Sequence, residues 1–463
     1  MKVCNSHAED INIAYIGGGS KGWAWGLMSD LAVEKSLSGT VKLYDIDRKA
    51  AENNAIIGNR LFSKEEYNNR WTFEVSGSLR EALTGANFVI ASILPGTFDE
   101  MESDVDEPKK YGILQPVGDS VGPGGLVRAM RTIPQYRVIA EAIRDFAPDA
   151  WVINYTNPMT VCTQTLYSVF PQIKAIGCCH EVFGTQKLLA SAAMEAGLGE
   201  NITRQDIKVN VTGINHFTWL TSASYNGIDL FPVYRKFADK YYETGYHESG
   251  DHWLNSFFSS AQRVKFDLFK RYGIIAAAGD RHLAEFVPNK WYLKDEETIR
   301  DFMFTLTPVQ WRKGEYTTLK NEESRKLVSG EMEFKINETG EEGVKIICAL
   351  LGLKDLVTNA NMPNIGQIEG VPVGSVVETN VLVRRDDITP LYAGALPDEV
   401  LNLVLPHIYN QRCIVEAGLT CNRQKAFNAF LNDPLVNIPL DDAKTLFDRM
   451  LKNTAKYLPG WEL

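Results

Sequence analysis

The sequence predicts an α/β protein that begins with a doubly wound parallel sheet. Short apolar runs of strand length alternate with segments of helical periodicity, and a glycine-rich turn follows the first apolar run. Strands that alternate with helices form parallel sheets, because each helix carries the chain back to the same end of the sheet. The chain has 463 residues, which is too long for one small core and indicates two domains.

The first predicted strand, INIAYI at residues 11–16, runs directly into the turn GGGSKG. Gly17, Gly19 and Gly22 fit the pattern Gly-x-Gly-x-x-Gly, and the helical segment WAWGLMSDLAVEKS follows them. In this context the pattern binds dinucleotides, since the glycines let the backbone approach a pyrophosphate at the helix N-terminus. We therefore expect this turn to bind a dinucleotide.

The second predicted strand, VKLYDID, carries Asp45 near its end, 26 residues after Gly19. A carboxylate at this position binds the two ribose hydroxyls and repels a 2′-phosphate, which favours NAD over NADP. The expected cofactor-binding residues are Gly17, Gly18, Gly19, Ser20 and Asp45.

Polar residues follow the later strands of the predicted sheet. The alternation continues with strands over 86–94, 151–158 and 174–179 and with helices over 132–148 and 159–169. The result is a Rossmann-like doubly wound sheet, in which ligands bind at the carboxyl ends of the strands. Asn157, Cys179 and His180 fall at such ends, so we expect them near the nicotinamide.

Beyond about residue 200 the pattern becomes less regular and predicts an α+β domain that covers the open face of the first domain. Residues 209–227 fit two strands that are interrupted at 213–216. The segments that fit helices are 250–272, 392–430 and 440–457. The predicted division is a tail over 1–10, an NAD-binding domain over 11–200 and an α+β domain over 201–463.

Charge and cysteine content exclude several classes of function. The 48 basic and 58 acidic residues give a net charge of −10, which argues against binding to nucleic acid or to an anionic membrane. No apolar run approaches the roughly 18 residues of a membrane helix, and we expect no secretory signal because the N-terminus lacks an apolar core. The seven scattered cysteines indicate reduced thiols and a cytoplasmic location.

The stretch AIGCCHEVFG contains Cys179 directly beside His180, after an apolar strand. Such a cysteine can be a small core residue, but its position at a strand end predicts a metal ligand on the rim that faces the cofactor. His216 is the best second ligand. Sulfur with imidazole suits Mn²⁺, Fe²⁺, Co²⁺, Ni²⁺ or Zn²⁺, and two protein ligands leave positions open for substrate oxygens or water.

A second class of enzyme shares the predicted fold. NAD-dependent 2-hydroxy-acid dehydrogenases of the lactate/malate type also have Asn-Pro after the fourth strand and a histidine in a similar position. They need no counterpart of Cys179 and consume NAD stoichiometrically, so they form the alternative from another class. An NAD-binding sensor without activity is a third hypothesis, which leaves the cysteine and histidines without a role.

An ordered set of motifs runs nearly from end to end of the chain. It comprises IGGGS, VGDSVGPGG (117–125), TNP (156–158), G-x-C-H (177–180), G-x-N-H (213–216), NMPNIGQIEGVPVGSVVE (361–378) and DPLV (433–436). This set resembles glycoside hydrolase family 4, the NAD- and metal-dependent glycosidases. CHEV at 179–182 is similar to the form in the family's α-galacturonidases, whereas its phospho-glycosidases have Cys-Asp at this point.

The resemblance implies a lactate/malate dehydrogenase-like fold, NAD and a divalent metal as cofactors, and a redox elimination. In that reaction carbon 3 of the sugar is oxidised transiently and carbon 2 loses a proton. The resemblance implies that Cys179 and His216 hold the metal, usually Mn²⁺. It further implies that His180 protonates the leaving oxygen and that Asn157 binds sugar hydroxyls.

The resemblance leaves the base less defined than the other roles. The segment GDRHLAEF resembles a segment of the α-glucosidase subgroup, which makes Asp280 the first candidate for the base. Asp119 takes the place of a family glutamate that tunes the base. The implied roles therefore make His180, Asp280 and Asp119 the catalytic set.

The implied substrate is a small α-galacturonide or a related oligosaccharide. An arginine fork matches its planar carboxylate, and Arg128, Arg131 and Arg281, with His282 beside the last, are the cations expected near the site. The segment MESDVDE lacks the arginine of the phospho-glycosidases. α-Glucosidase, α-galactosidase and α-glucuronidase activities are the alternatives within the family, whose members are commonly dimers or tetramers, so we expect a homo-oligomer.

Overall fold

The computed structural model describes residues 1–4, 6–247 and 257–462. Its strands are β1 (Lys2–Val3), β2 (Ala8–Ile16), β3 (Leu37–Tyr44), β4 (Trp71–Val75), β5 (Phe88–Ala91), β6 (Trp151–Asn154), β7 (Lys174–Gly177), β8 (Ile207–Ile214), β9 (Phe217–Tyr225), β10 (Ile228–Asp229), β11 (Ile275–Ala276), β12 (Leu356–Pro363), β13 (Val376–Arg384) and β14 (Asp387–Pro390).

The α-helices are α1 (Trp23–Val33), α2 (Arg48–Phe62), α3 (Leu79–Leu83), α4 (Phe98–Lys109), α5 (Gly122–Phe146), α6 (Met159–Val169), α7 (Glu181–Glu195), α8 (Phe231–Tyr241), α9 (Arg263–Tyr272), α10 (Asp280–Leu283), α11 (Glu296–Asp301), α12 (Val309–Trp311), α13 (Thr317–Ser329), α14 (Gly343–Leu350), α15 (Asp398–Thr420), α16 (Arg423–Leu431) and α17 (Leu440–Asn453). Among these helices, none combines the length and the apolar character needed to cross a bilayer.

A single sheet runs through the described chain. Its strand order is β10-β9-β8-β13-β12-β7-β6-β5-β2-β3-β4, with β1 beside β2, β11 beside β9 and β14 beside β13. The strands β4-β3-β2-β5-β6-β7 are parallel, and the winding direction changes beside β2. This is the doubly wound order of Rossmann-like domains, so the predicted fold class is confirmed.

The central strands are apolar on both sides because helices cover both faces of the sheet. On β2, Ile13 and Tyr15 pack in one core with residues of α1, α2 and α14. Ala14 and Ile16, the alternate residues, pack in a second core with residues of α3, α5 and α6. The continuous apolar run of β2 therefore follows from its burial on two faces.

The N-terminal part differs from the prediction in two places. Residues 2–3 and 8–10, predicted as part of a tail, pair in β1 and β2. The edge strand β4 is absent from the predicted strands because exposed polar residues, Thr72 and Glu74, alternate with its buried apolar ones. An edge strand needs only one apolar side, so its sequence resembles that of a loop.

The C-terminal part covers the parallel strands and also adds further strands to the same sheet beyond β7. β12 pairs antiparallel with β7 through Asn361 and Gly177, and β13, β8, β9 and β10 continue from there. A Cβ atom on Gly177 would lie 2.9 Å from the Cβ of Asn361, so this close approach requires glycine. The division into domains at residue 200 stays a prediction, since hydrogen bonds cross from one part to the other.

The predicted C-terminal helices are present with altered ends. The segment predicted over 250–272 contains α9, and residues 248–256 lie outside the described residues. The segment over 392–430 holds two helices, because Cys421 ends α15 with a left-handed backbone (φ 53°). Asn422 then caps α16, its Oδ1 accepting a hydrogen bond from the amide of Lys425.

A buried ion pair joins α4 to α5. The side chains of Arg131 and Asp104 are each 1% exposed. Arg131 donates to both carboxylate oxygens of Asp104, one of them at 2.9 Å, and its Nε donates to the carbonyl of Pro95 at 2.9 Å. Since a buried charge without a partner is unfavourable, each member of this pair depends on the other.

We expect Asp104→Ala to lower the free energy of unfolding by about 3–5 kcal/mol, because Arg131 would stay buried without a counter-charge. Urea unfolding followed by tryptophan fluorescence measures this loss. The matched control is Glu141→Ala, which removes the partner of Arg137 on the exposed side of the same helix and should cost less than about 1 kcal/mol. Equal effects of the two substitutions would contradict the structural importance of the buried pair.

Candidate active site

Three side chains from distant parts of the chain meet beside the carboxyl ends of the parallel strands. Asp119 precedes α5, His216 lies between β8 and β9, and His282 lies in α10. Their ligand atoms all lie within 4.8 Å of one another. Oδ1 of Asp119 is 4.0 Å from Nδ1 of His216 and 4.0 Å from Nε2 of His282, and the two imidazole rings stack with centroids 3.8 Å apart.

The hairpin between β8 and β9 determines where His216 lies. Its turn consists of Asn215 and His216, and the next residues on either side, Ile214 and Phe217, are fully buried. His216 has a left-handed backbone with φ 64°, which costs free energy in a residue with a Cβ and is common at functional sites. The hydroxyl of Ser120 lies 2.8 Å from Nδ1 of His216 and donates to Asp119.

The charges of the three groups depend on one another. Burial opposes ionisation of Asp119, but His216, Arg128 and His282 together lower its pKa to about 2. Burial and the charge of His282 lower the pKa of His216 to about 3. Glu181 and Asp119 overcome the effect of burial on His282 and raise its pKa. His216 is therefore neutral with a lone pair available, and His282 is the ring that more readily takes up an extra proton.

Glu181, the first residue of α7, orients His282. One oxygen of Glu181 lies 3.4 Å from Nδ1 of His282, and the other accepts a hydrogen bond of 2.6 Å from the amide of Gly279. Metal-binding histidines commonly donate their second ring N–H to a carboxylate in this way. Glu181 was not identified from the sequence, although it stands directly after His180 in the CHEV motif.

The cluster has the atoms that a divalent transition metal needs. Within the described residues, Nε2 of His282 is buried and has no hydrogen-bond partner. A buried polar atom without a partner is unfavourable, and an ion between His282, His216 and Asp119 would satisfy it. Such an ion would displace any extra proton from His282, since only a neutral imidazole is a metal ligand. Two imidazoles and one carboxylate suit Mn²⁺, Fe²⁺, Co²⁺ or Zn²⁺. His282, predicted to bind the substrate, is thus part of the candidate metal centre.

Cys179, the other predicted ligand, lies outside this cluster. Its thiol is buried and contacts the side chain of Asn215, the neighbour of His216 in the hairpin turn. Burial and the charges of Glu378 and Glu181 raise the pKa of this thiol. The structure therefore groups His216 with His282 and Asp119, and the role of Cys179 as a metal ligand stays a prediction.

Asn157 and His180 follow the carboxyl ends of the neighbouring parallel strands β6 and β7. The side chain of His180 is 57% exposed, and its Nδ1 lies 2.7 Å from an oxygen of Glu341. This hydrogen bond raises the pKa of His180, so the protonated ring is favoured. Asn157 donates to Oδ2 of Asp119 at 3.1 Å, and its own Oδ1 is buried without a partner in the described chain.

Asp280, the first candidate for the base, is hydrogen-bonded to a helix N-terminus, and its catalytic role stays a prediction. Its carboxylate accepts hydrogen bonds from the amides of Val264 and Lys265 at 3.2 and 3.1 Å, at the N-terminus of α9. The N-cap residue of that helix, Gln262, supplies no side-chain cap, so Asp280 satisfies these amides instead. Burial raises the pKa of Asp280 to about 6, but both of its oxygens serve the helix rather than the cluster.

Arg131 and Arg281, which were expected to bind a substrate carboxylate, are hydrogen-bonded to other parts of the protein, and their role as ligand residues stays a prediction. Both terminal nitrogens of Arg131 pair with Asp104. Arg281 donates from Nε to the carbonyl of Thr305 at 2.9 Å and from one terminal nitrogen to Pro116 and Thr307 at 2.5 and 2.6 Å. Neither side chain keeps a complete fork for a ligand.

Glu285 supports the turn that carries Asp119 and was not found from the sequence. One of its oxygens accepts hydrogen bonds from the amides of Val117 and Gly118 at 2.7 and 2.9 Å, and burial raises its pKa to about 7. These contacts join segments more than 160 residues apart, so no local pattern could reveal them. Glu285 is a positioning residue for Asp119.

The predicted dinucleotide turn has the close backbone approach that its glycines imply. Gly17 has φ 93°, and a Cβ there would lie 1.9 Å from the carbonyl oxygen of Ser92. Side-chain atoms at Gly18 and Gly19 would come within 2.8 Å of Leu43 and 2.7 Å of Ala50. Only glycine fits these positions, which leaves the backbone free to approach a pyrophosphate.

Ser20 and Asp45 complete this turn. Ser20 Oγ accepts hydrogen bonds from the amides of Gly22 and Trp23, at the start of α1. Asp45 accepts one hydrogen bond on each oxygen, from Gly19 at 2.8 Å and from Asp47 at 2.9 Å. A carboxylate oxygen can accept a second hydrogen bond, so Asp45 retains the capacity to bind ribose hydroxyls.

The sequence matches two family models. The model described as family 4 glycosyl hydrolase matches residues 12–195, and the family 4 glycosyl hydrolase C-terminal domain matches residues 211–436. An alpha-galacturonidase of Thermoanaerobacterium saccharolyticum is 60% identical to the chain over 464 aligned residues, which cover all of both proteins.

Solved structures agree with this assignment. The crystal structure of lplD from Bacillus subtilis is 53% identical, has a TM-score of 0.92 and covers 96% of this chain and all of its own. A 6-phospho-alpha-glucosidase from gut microorganisms, in complex with NAD and Mn²⁺, is 18% identical, has a TM-score of 0.81 and covers 98% of this chain and all of its own, which shows the shared fold. The chain belongs to the family 4 glycosyl hydrolases.

Proposed function

We propose that this enzyme is an α-galacturonidase that requires NAD and a divalent metal such as Mn²⁺. The cluster of His216, His282 and Asp119 is the main support, because its ligand atoms lie within 4.8 Å of one another and suit a divalent metal. The α-galacturonidase of Thermoanaerobacterium saccharolyticum, 60% identical along the whole chain, supports the choice of sugar. A 2-hydroxy-acid dehydrogenase is not favoured, since both family models are those of glycosidases.

The bound groups and the protein have separate tasks in this reaction. NAD supplies a hydride acceptor and donor for carbon 3 of the sugar, and the metal supplies positive charge for sugar oxygens. Asp119, His216 and His282 are the residues that would hold the metal. Asn157 Oδ1, which has no partner among the described residues, can accept a hydrogen bond from a sugar hydroxyl.

His180 is the proposed acid for the leaving oxygen. Its exposed position on the rim leaves room for the departing group, and its hydrogen bond to Glu341 favours the protonated ring. A histidine whose pKa lies near the working pH can both give and regain this proton. The gain from such proton transfer is about 10²- to 10⁴-fold in rate.

We further propose that the enzyme works in the cytoplasm as a homo-oligomer on small uronides. Each of the seven cysteines is free, which suits a reducing compartment. The exposed side chains of Ile365 and Val373, 73% and 74% accessible, offer apolar surface that contact between copies would bury.

The proposed function predicts where deuterium enters the product formed in D₂O, and it predicts which of two sugars is cleaved faster. The galacturonate released from an α-galacturonide should carry deuterium at carbon 2, because that carbon loses a proton to the enzyme and regains one from solvent. The ratio of kcat/KM for the α-galacturonide to that for the matching α-galactoside should be about 10- to 150-fold, the effect of one charge-assisted contact. NMR of the product and initial rates measure both quantities.

The two readouts fail independently. Product without deuterium at carbon 2 would exclude the redox elimination, whichever sugar is cleaved. Equal kcat/KM values for the two sugars would exclude the galacturonide specificity and leave the elimination standing.

Mn²⁺ affinity should fall more than about tenfold in His216→Ala and in His282→Ala, because each substitution removes a ligand. Titration of Mn²⁺ by electron paramagnetic resonance measures this affinity, and dialysis against EDTA should abolish activity until Mn²⁺ returns. His180→Ala, outside the cluster, is the control and should bind Mn²⁺ normally. Cys179→Ser tests the predicted thiol ligand, and unchanged Mn²⁺ binding in both histidine variants would exclude this metal centre.

NAD affinity should fall by about 1–3 kcal/mol in Asp45→Ala, because the ribose hydroxyls lose a charged acceptor, and discrimination against NADP should relax. Calorimetric titration with NAD and NADP measures both effects. Asp47→Ala is the matched control, since Asp47 only caps α2 through the amide of Ala50 and should leave cofactor preference unchanged. An unchanged NAD affinity in Asp45→Ala would contradict a ribose contact.

A further inference from the structure

The carboxylate on carbon 6 of a galacturonide needs a fixed cation, and the identity of that cation is an inference that rests on the function proposed above. Arg131 and Arg281, expected from the sequence, are bonded to other parts of the protein. Arg204 pairs with Glu342 at 2.9 Å. Cations near Asp119 that lack such partners are therefore better placed to bind the carboxylate.

Arg128 is one such cation. Its side chain lies on α5, is only 7% exposed, and donates from Nε to the carbonyl of Asn157 at 3.1 Å. Within residues 1–4, 6–247 and 257–462 its two terminal nitrogens have no hydrogen-bond partner. Because a buried guanidinium without an acceptor is unfavourable, these nitrogens favour an anionic ligand.

Arg312 is the second cation near Asp119. It opens a turn of π-helix, Arg312–Tyr316, between α12 and α13, and such turns are frequent at functional sites. Its guanidinium carbon lies 5.1 Å from the ring centroid of Phe258, and one terminal nitrogen lies 3.7 Å from the sulfur of Met101. No oxygen of the described residues accepts a hydrogen bond from this half-buried side chain.

Two observations indicate that Arg312 faces the candidate active site. The ring of Phe258 also lies 5.4 Å from the guanidinium carbon of Arg281, the neighbour of His282. Burial lowers the pKa of Arg312, while the charge of Asp119 raises it and that of Arg128 lowers it. Arg312 is therefore close enough to both groups to feel their charges, although it is bonded to neither.

We propose that Arg312, together with Arg128, binds the carbon-6 carboxylate of the sugar and so determines the preference for galacturonides. A guanidinium fork matches the two carboxylate oxygens in geometry and charge. A galactoside offers only a neutral hydroxymethyl group, which compensates the desolvation of two cations poorly. The same pair of arginines thus attracts the uronic acid and disfavours the neutral sugar.

Arg312→Met tests this assignment, because methionine keeps an unbranched apolar stem and removes the charge. The ratio of kcat/KM for the α-galacturonide to that for the α-galactoside should fall about 10- to 100-fold. Binding of free galacturonate, measured by calorimetry, should weaken by a similar factor, while galactoside turnover and Mn²⁺ affinity stay within about twofold. Arg312→Lys keeps the charge without the fork and should give an intermediate ratio.

Lys313→Met is the matched control, since the adjacent cation is bonded to Asp99 and Glu102 on α4 and should leave the ratio unchanged. A wild-type enzyme without preference for galacturonides would refute the proposed function. A wild-type preference that persists in Arg312→Met would refute the role of Arg312 alone. Equal losses with both sugars in Arg312→Met and Arg312→Lys, accompanied by weaker Mn²⁺ binding, would show a structural role instead.

Discussion

The stacked imidazoles of His216 and His282 are the contact on which the rest of the candidate site depends. Two rings with centroids 3.8 Å apart cannot both carry an extra proton and its positive charge, so at least one ring is neutral, and both are neutral when they bind a metal. Glu181 and Asp119 lie beside His282 and favour the proton there. The hairpin turn, the start of α7 and the turn before α5 must therefore meet for the charges to balance.

The parts of the protein that obey local rules could be predicted from the sequence. The strand before Gly17 and the glycine turn follow from residues that are neighbours in the chain, and Asp45 lies at the end of the next strand. The turn at His216 was also predictable, because it interrupts two apolar strands. Only the strained backbone of His216 needed the structure.

The remaining assignments depend on contacts between distant segments. Arg131 has the spacing of a ligand-binding helix residue, but Asp104 on α4 occupies both of its terminal nitrogens. Asp280 stands beside His282 in sequence, yet its carboxylate serves the uncapped amides of α9. The spacing of apolar residues in strands (period 2) and helices (period 3.6) does not show which buried charged side chains form pairs. Packing between elements determines that pairing.

The hydrogen bonds between β7 and β12 make the two parts of the chain one mechanical unit. The N-terminal part alone would end in β7 with its outer row of amide and carbonyl groups unpaired, and the C-terminal part alone would expose β12 in the same way. Exposed strand edges of this kind can form hydrogen bonds with strands of other chains. A gene cut near residue 200 would thus produce two fragments prone to aggregate, although the family models describe them separately.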